Sequence, residues 1–266
     1  MKVLPLDRYI KEGVTYKTKE REAYIVRKIG TDSSTPAYLE IDGKKTGTID
    51  SEVAPWHVTS SNLLGPLDLG PLYYVIPPDT EFKVVGASGC KMRLIGQKII
   101  LEPGERLGAP YADRFERQFD HYLTLISATL TLGTDEVFKA NEERTILSLK
   151  PSVYEIYKFN GYIGVKGSGD TITEGDFAIV FYYNGNPLEH ITTDGFGPGI
   201  DIKSMPLPPA DTTEEVPYTL KDYPIEVPGP NELVIKIRNI SGADKAPASG
   251  SAWSFTLKAI VEYIRK

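Results

Sequence analysis

Apolar residues alternate with polar ones over most of this chain, and that period limits the folds open to it. Segment 122–132 alternates leucine with threonine, and runs such as 81–85 alternate valine and phenylalanine with charged residues. A period of two places successive side chains on opposite faces of a strand, whereas a helix repeats every 3.6 residues. The alternation therefore predicts an all-β protein.

The predicted strands are short runs rich in β-branched and aromatic residues, bounded by Gly, Pro, Asp and Ser. Three Asx-Gly pairs, at 42–43, 160–161 and 184–185, supply tight turns because both residue types tolerate positive φ angles. The predicted strands are 22–29, 37–41, 46–49, 72–76, 81–85, 98–101, 122–132, 144–149, 153–159, 162–165, 177–183, 232–237 and 253–264.

One segment breaks the alternation and predicts the domain organisation. Leu107, Tyr111, Phe115 and Phe119 recur every four residues, which indicates one amphipathic helix between two sets of strands. The sequence therefore predicts two tandem antiparallel β-sandwich domains joined by this helix. Their predicted limits are an N-terminal arm at 1–20, sandwich 1 at 21–105, a linker helix at 106–121 and a larger sandwich 2 at 122–266 with a long loop at 193–217.

An internal repeat supports two copies of one sandwich. Residues 76–82 (Ile-Pro-Pro-Asp-Thr-Glu-Phe) align without gaps on 227–233 (Val-Pro-Gly-Pro-Asn-Glu-Leu), an offset of 227 − 76 = 151 residues. In both copies a strand leaves through a proline turn, passes a glutamate and enters an alternating strand. The order of the matched segments is the same in both halves, which favours an ancient duplication over a chance recurrence of proline turns.

Charge and composition exclude several partners and locations. The net charge of −6 and pI near 5.3 argue against a nucleic-acid surface or an anionic-membrane surface, because both need a basic face. No apolar run approaches the ~18 residues that a membrane span needs, and residues 1–7 lack the apolar region of a secretory signal. We therefore expect intracellular synthesis without export by the general route, with the virion as one final location.

No catalytic motif or cofactor motif stands out. The three histidines are far apart in sequence, and the chain has no nucleophile elbow, P-loop or dinucleotide fingerprint. We expect no enzyme and no cofactor. The one candidate metal site is a weak Ca²⁺ candidate at Asp194 and Asp201, in a glycine-rich turn that Asx turns explain better.

Aromatic residues provide the candidates for a ligand site or an interface. Trp56 and His57 lie in a proline-rich loop, Tyr182 and Tyr183 end a predicted strand, and Phe196 lies in the long loop. Aromatic side chains on sandwiches stack on sugars, and they are also enriched at interfaces between subunits. A glycan-binding module and an assembly protein therefore both remain open, and a glycoside hydrolase would need a carboxylate pair about 5–10 Å apart.

The matched segments 76–82 and 227–233, together with the helix at 107–119, resemble the tandem jelly-roll structural proteins of icosahedral viruses. This resemblance implies self-association into trimers or similar rings and a place in a virion or a proviral gene set. The first half departs from the pattern, because 22–102 is short for eight strands. A smaller sandwich of immunoglobulin-like size fits that half better.

The leading hypothesis is a non-enzymatic structural protein that forms homo-oligomers, such as a capsid protein or another virion component. Scarce thermolabile residues, with glutamine only at Gln97 and Gln118, favour a thermophilic source. The alternative is a carbohydrate-binding or adhesin-like module whose site is the loop at 193–217 and the nearby tyrosines.

Overall fold

The computed structural model describes residues 1–58, 64–134, 136–169, 172–188, 199–207 and 218–266. These residues form two compact units, one of residues 1–125 with 262–265, and one of residues 126–261 with Lys266. Each unit is an antiparallel β-sandwich, and the one α-helix among the described residues belongs to the first unit. The predicted fold class is confirmed, whereas the predicted limits of the two sandwiches and of the linker helix stay predictions.

The first unit contains nine strands and the helix. They are β1 Lys2–Lys11, β2 Tyr16–Lys17, β3 Glu22–Thr31, β4 Ala37–Ile41, β5 Lys44–Ile49, β6 Leu67–Asp68, β7 Tyr74–Ile76, β8 Glu81–Val85, β9 Lys91–Ile100 and α1 Ala109–Arg117.

The strand order of the first unit is that of a complete jelly roll. One sheet runs β1-β9-β3, with β6 and β7 both pairing β3, and the other runs β2-β8-β4-β5. The sheets pack face to face, with the Tyr24 and Phe82 rings 5.8 Å apart in an edge-to-face contact. Setting aside the two-residue β6, eight strands form two four-stranded sheets, as in a jelly roll.

The N-terminal arm predicted at 1–20 is wrong. Residues 2–11 form β1, which pairs with β9 over ten residue pairs, and β2 adds to the second sheet. Leu6 and Ile10 of β1 are buried, and Asp7 between them faces outward. Arg8 lies on the same side as Leu6 and Ile10 and donates to Tyr24 Oη at 2.9 Å. The immunoglobulin-sized sandwich expected for the first half is wrong for the same reason, because these two strands complete the jelly roll.

Strand β1 is an outer edge whose free backbone groups are partly blocked. Glu12 N donates to Cys90 O at 2.8 Å, so even-numbered amides near this end face β9 and odd-numbered ones face outward. Among the outward positions, Pro5 has no N–H, and the Lys11 amide donates to Tyr16 Oη at 3.1 Å. Proline on an edge strand hinders pairing with another chain.

Helix α1 covers one end of the outer face of the β1-β9-β3 sheet. Leu107, Tyr111 and Phe115 pack against a buried cluster of Ala23, Ile25, Val75, Ile99 and Leu101. The sheet is therefore buried on both faces at this end, which explains the nearly continuous burial of β3.

Two polar side chains of the helical segment bond to the backbone around β7. The Arg114 guanidinium, 8 % exposed, donates to the carbonyls of Leu72, Tyr73 and His121 at 2.8–2.9 Å. Gln118 is fully buried; its Oε1 accepts from Val75 N at 2.8 Å and its Nε2 donates to Val75 O at 3.1 Å. The amide thus takes the place of a neighbouring strand along the free edge of β7.

The second unit holds most of the remaining ten strands. They are β10 His121–Leu132, β11 Glu143–Leu149, β12 Glu155–Phe159, β13 Ile163–Ser168, β14 Phe177–Tyr183, β15 Asn186–Pro187, β16 Ile200–Asp201, β17 Ile225–Pro228, β18 Leu233–Asn239 and β19 Trp253–Arg265.

The strand order of the first unit recurs here. One sheet runs β10-β19-β12-β17, with β13 on β19, and the other runs β11-β18-β14-β15, with β16 on β14. The aligned segments of the repeat occupy equivalent places, since 76–82 links β7 to β8 and 227–233 links β17 to β18. The tight turns also match, because Asp42-Gly43 and Asn184-Gly185 all have positive φ angles. Matching topology supports the predicted duplication.

The core of the second unit centres on Phe177. Its ring lies 4.9 Å from Phe255, 5.3 Å from Phe138 and 5.7 Å from Trp253, and all four side chains are at most 2 % exposed. The contacts with Phe255 and Trp253 are edge to face, and aromatic groups packed in this way contribute large buried areas. In the described part of the chain, no helix has both the length and the apolar character that a membrane crossing requires.

Candidate functional site

The loop that carries Trp56 is fixed on the outer face of the first unit. Its backbone crosses β3 at Gly30, where a Cβ atom would lie 2.7 Å from Trp56 Cα, so only glycine permits this approach. Thr31 N donates to Ala54 O at 2.9 Å, and the Asp50 carboxylate accepts from Val53 N at 3.2 Å. The loop therefore presents its aromatic side chain in one position.

Trp56 is the centre of an aromatic group on this face. The Tyr9 ring meets it edge to face at 5.7 Å, and the exposed His57 ring lies 5.5 Å away. Lys91 Nζ lies 5.3 Å from the centre of the Trp56 ring. Tyr9 is 50 % exposed, so a large part of this group faces solvent.

Arg93 and Asp7 hold the aromatic rings in place. The Arg93 guanidinium donates through Nε and Nη2 to both Asp7 oxygens, at 2.8 and 2.7 Å, and through Nη1 to Trp56 O at 3.1 Å. It also lies 5.4 Å from the Tyr9 ring centre. A bidentate pair fixes both position and orientation. We call the set of Asp7, Tyr9, Trp56, His57, Lys91 and Arg93 the Trp56 cluster.

The Asp7–Arg93 pair predicts a loss of stability in acid. Hydrogen bonding from Arg93, assisted by its charge, lowers the pKa of Asp7 below its ordinary 3.8, against a smaller opposing effect of burial. A lowered folded pKa means that the stabilisation is complete above the unfolded value and disappears as pH falls through the folded value. Urea unfolding should show Asp7→Asn less stable than the wild type near about pH 6, with the difference vanishing towards about pH 2.

The control for that prediction is Asp68→Asn. This carboxylate lies 3.7 Å from Lys28 and its side chain is 64 % exposed, so the replacement removes a weak ion pair. The asparagine oxygen can still accept from Gly70 N, which lies 2.9 Å from the carboxylate. A difference for Asp7→Asn that stays constant from neutral to acid pH would contradict the prediction.

The chemistry of the Trp56 cluster suits binding to another surface. Tryptophan, tyrosine and arginine are the residues that contribute most at interfaces, because they bury large areas while still offering hydrogen bonds. Here they are held before any partner arrives, which lowers the entropy cost of binding.

The predicted tyrosine candidates are engaged within the second unit. Tyr182 Oη donates to the Glu143 carboxylate at 2.8 Å, and Lys236 Nζ lies 4.3 Å from its ring centre. Burial, reinforced by the Glu143 charge, raises the pKa of Tyr182. Tyr183 packs against the hydrophobic core. One face of the Tyr182 ring is thus in contact with Lys236, and its hydroxyl is already hydrogen-bonded to Glu143.

The Ca²⁺ candidate is only partly described. Asp201 is 4 % exposed, and its two oxygens accept from Gly175 N at 2.6 Å and Lys203 N at 2.8 Å. It therefore caps the short 3-10 turn Ile202–Ser204. Asp194 and Phe196 lie outside the described residues, as does most of the loop at 193–217. Within the described ranges, no group of three or more His, Cys, Asp or Glu side chains could hold a metal.

Sequence reasoning found Trp56 and His57 but missed the residues that complete their cluster. Tyr9 and Arg93 are direct partners in the β1–β9 register, while Asp7 lies two residues before Tyr9 on the same face of β1. That register became predictable only once residues 2–11 were known to be a strand.

Several solved structures are similar to this chain at low identity. The major capsid protein P2 of bacteriophage PM2 is 10 % identical, with 96 % of this chain and 98 % of that one covered, at a TM-score of 0.33. PBCV-1 VP54, fitted into a reconstruction of the virophage Sputnik, is 11 % identical, with 100 % of this chain and 96 % of that one covered, at a TM-score of 0.28. The structure of the infectious bursal disease virus Gx strain is 10 % identical, with 98 % of this chain and 77 % of that one covered, at a TM-score of 0.22.

These likenesses concern architecture alone. The tandem jelly-roll architecture itself follows from the strand order of the two units. No protein-family model matches the chain, and no curated protein is significantly similar to it in sequence.

Proposed function

We propose that this chain is a non-enzymatic structural protein that assembles into closed homo-oligomers, as a capsid protein or another virion component. The observation that carries the proposal is the Trp56 cluster, in which Tyr9, Trp56 and Arg93 lie together on a rigid exposed face. The virion role rests on analogy with the tandem jelly-roll architecture. A virus or provirus of a thermophile as source rests on the scarcity of thermolabile residues.

The cluster has the composition of an interface centre. An aromatic pair is surrounded by charged groups, and one of those groups, Arg93, is already neutralised by Asp7. The remaining charge on this face is positive and lies on Lys91 and on Lys11, its direct partner in the β1–β9 register; neither lysine makes an ion pair among the described residues. Interfaces commonly have such an anchor with a polar rim. Burying it between copies would remove the exposed aromatic surface from water.

Trp56→Ala is expected to weaken self-association at least about 30-fold, since residues at the centre of an interface contribute 2 kcal/mol or more. Size-exclusion chromatography with light scattering, over a wide concentration range, measures the change, and electron microscopy shows the particles. Tyr223→Ala is the matched control, because Tyr223 is 60 % exposed and lies in the second unit. A wild-type chain that stays monomeric at every concentration would overturn the proposal.

Glycan binding is the second candidate function, and one feature of the same cluster favours it. A part-exposed indole beside a carboxylate and a guanidinium combines a stacking face with hydrogen-bonding groups, as sugar sites do. On a glycan array, hits that disappear with Trp56→Ala would assign the cluster to a sugar ligand instead of a subunit contact.

A further inference from the structure

A groove of about 1000 Å³ lies at the other end of the sheet that carries the Trp56 cluster. Its floor is apolar, formed by Leu101, Leu107 and Phe115, and the proline pair Pro77 and Pro78 forms one side. Helix α1 forms the other side, with the small exposed side chain of Ala112 facing the groove. We call this the α1 groove. Its volume and apolar floor suit one large aromatic side chain and its neighbours.

The rim of the α1 groove carries more acidic groups than basic ones. Glu20, Glu102, Glu105 and Glu116 line it, against Arg21 and Arg106. The rim already holds a cation, because the Met1 amino group lies 3.1 Å from Glu105 and 3.8 Å from Glu102. Glu116, on the exposed side of α1, makes no ion pair among the described residues. A partner with an aromatic anchor and a nearby ammonium group would complement this surface.

The Trp56 cluster has those two features. Trp56 supplies the aromatic anchor, Lys91 supplies an ammonium 5.3 Å from the Trp56 ring, and the Arg93 charge is balanced by Asp7. The two surfaces lie at opposite ends of β9. Arg93 belongs to the cluster and Leu101, directly after β9, belongs to the groove, so at ~3.3 Å per residue their backbones lie about 26 Å apart. That distance prevents the cluster from filling its own groove.

We propose that the Trp56 cluster of one copy docks into the α1 groove of a second copy, head to tail. This inference rests on the proposed self-assembly and adds which two surfaces meet. A symmetric contact of cluster on cluster would bring two Lys91 ammonium groups together, whereas the head-to-tail contact brings Lys91 towards the glutamate rim. A head-to-tail contact forms a ring where its rotation closes and a filament where it does not.

Mixing two variants, each defective in one surface, tests the docking. Trp56→Ala removes the anchor but keeps the groove, and Ala112→Trp fills the groove but keeps the anchor. Each variant alone should be monomeric by native mass spectrometry. An equimolar mixture should give a one-to-one heterodimer and no larger species, because only one intact cluster and one intact groove remain. Near-ultraviolet circular dichroism of each variant establishes that it is folded.

A charge exchange tests the register of the same contact. Lys91→Glu should weaken assembly at least about tenfold, and adding Glu116→Lys should restore most of it, since the two charges have exchanged places. If the wild type assembles but the mixture of Trp56→Ala and Ala112→Trp stays monomeric, the docking is overturned and the proposed function is left intact. A wild-type chain that does not assemble overturns both.

Discussion

Replacing Gln118 with alanine is expected to lower the free energy of unfolding of the first unit by about 2–5 kcal/mol. The Gln118 amide satisfies both backbone groups of Val75, and both residues are fully buried. Removing it leaves a buried N–H and a buried C=O without a partner, and each costs about 1–3 kcal/mol. Small changes of this size matter because a domain is stable by only about 5–15 kcal/mol.

Gln97→Ala is the control, and it is unusually well matched because the chain has only these two glutamines. Gln97 lies half-buried on the outer face of β9, and we expect its replacement to change stability by less than about 1 kcal/mol. Urea unfolding gives the free energies, and peptide-level hydrogen exchange shows whether β7 opens first. Equal effects of the two substitutions would contradict the role assigned to Gln118.

Phe177→Ala is expected to destabilise the second unit by about 3–5 kcal/mol. The ring is fully buried and contacts three other aromatic rings, so its removal leaves a cavity that Phe138 and the two β19 residues Trp253 and Phe255 cannot easily fill. The loss combines the transfer free energy of the ring with the cost of that cavity.

Tyr154→Ala is the matched control in the same unit, because its side chain is 66 % exposed and little packing is lost. We expect a change below about 0.5 kcal/mol. Thermal and urea unfolding of both variants provide the comparison. A Phe177→Ala protein as stable as the control would mean that the core repacks fully around the vacated space.

The central strands could be predicted from sequence because their side-chain pattern reflects burial directly. Strands β4 and β8 begin and end where the alternation does, and β14 coincides with a continuous apolar run. Strand β1 was missed because Pro5 and four charged residues dominate its ten positions. Those residues are compatible with a strand only at a sheet edge, and an edge position is a property of the whole sheet and not of the local sequence.

The helix was predicted from its four-residue period, but its contacts were not. Leu107, Tyr111 and Phe115 indicate an apolar face without saying what it covers. Buried Arg114 and Gln118 carry no apolar signal at all, because their role is to satisfy backbone groups of a strand distant in sequence.

The candidate site could be predicted in part. Trp56 and His57 stood out as aromatic residues in a proline-rich loop, where loops are most often exposed. Their partners Tyr9 and Arg93 come from two strands 84 residues apart in sequence, from 93 − 9. Only the pairing register brings them together, and register depends on which face of each strand is buried.

The blocked edge of β1 bears on how an assembly of this chain could come apart. A shared sheet running from copy to copy would meet Pro5, which has no amide hydrogen, and a Lys11 amide already bound to Tyr16. Contacts between copies at this edge are therefore favoured through side chains, and side-chain contacts can separate without any strand leaving its own sheet. An assembly with such contacts can release whole, folded subunits that are ready to be used again.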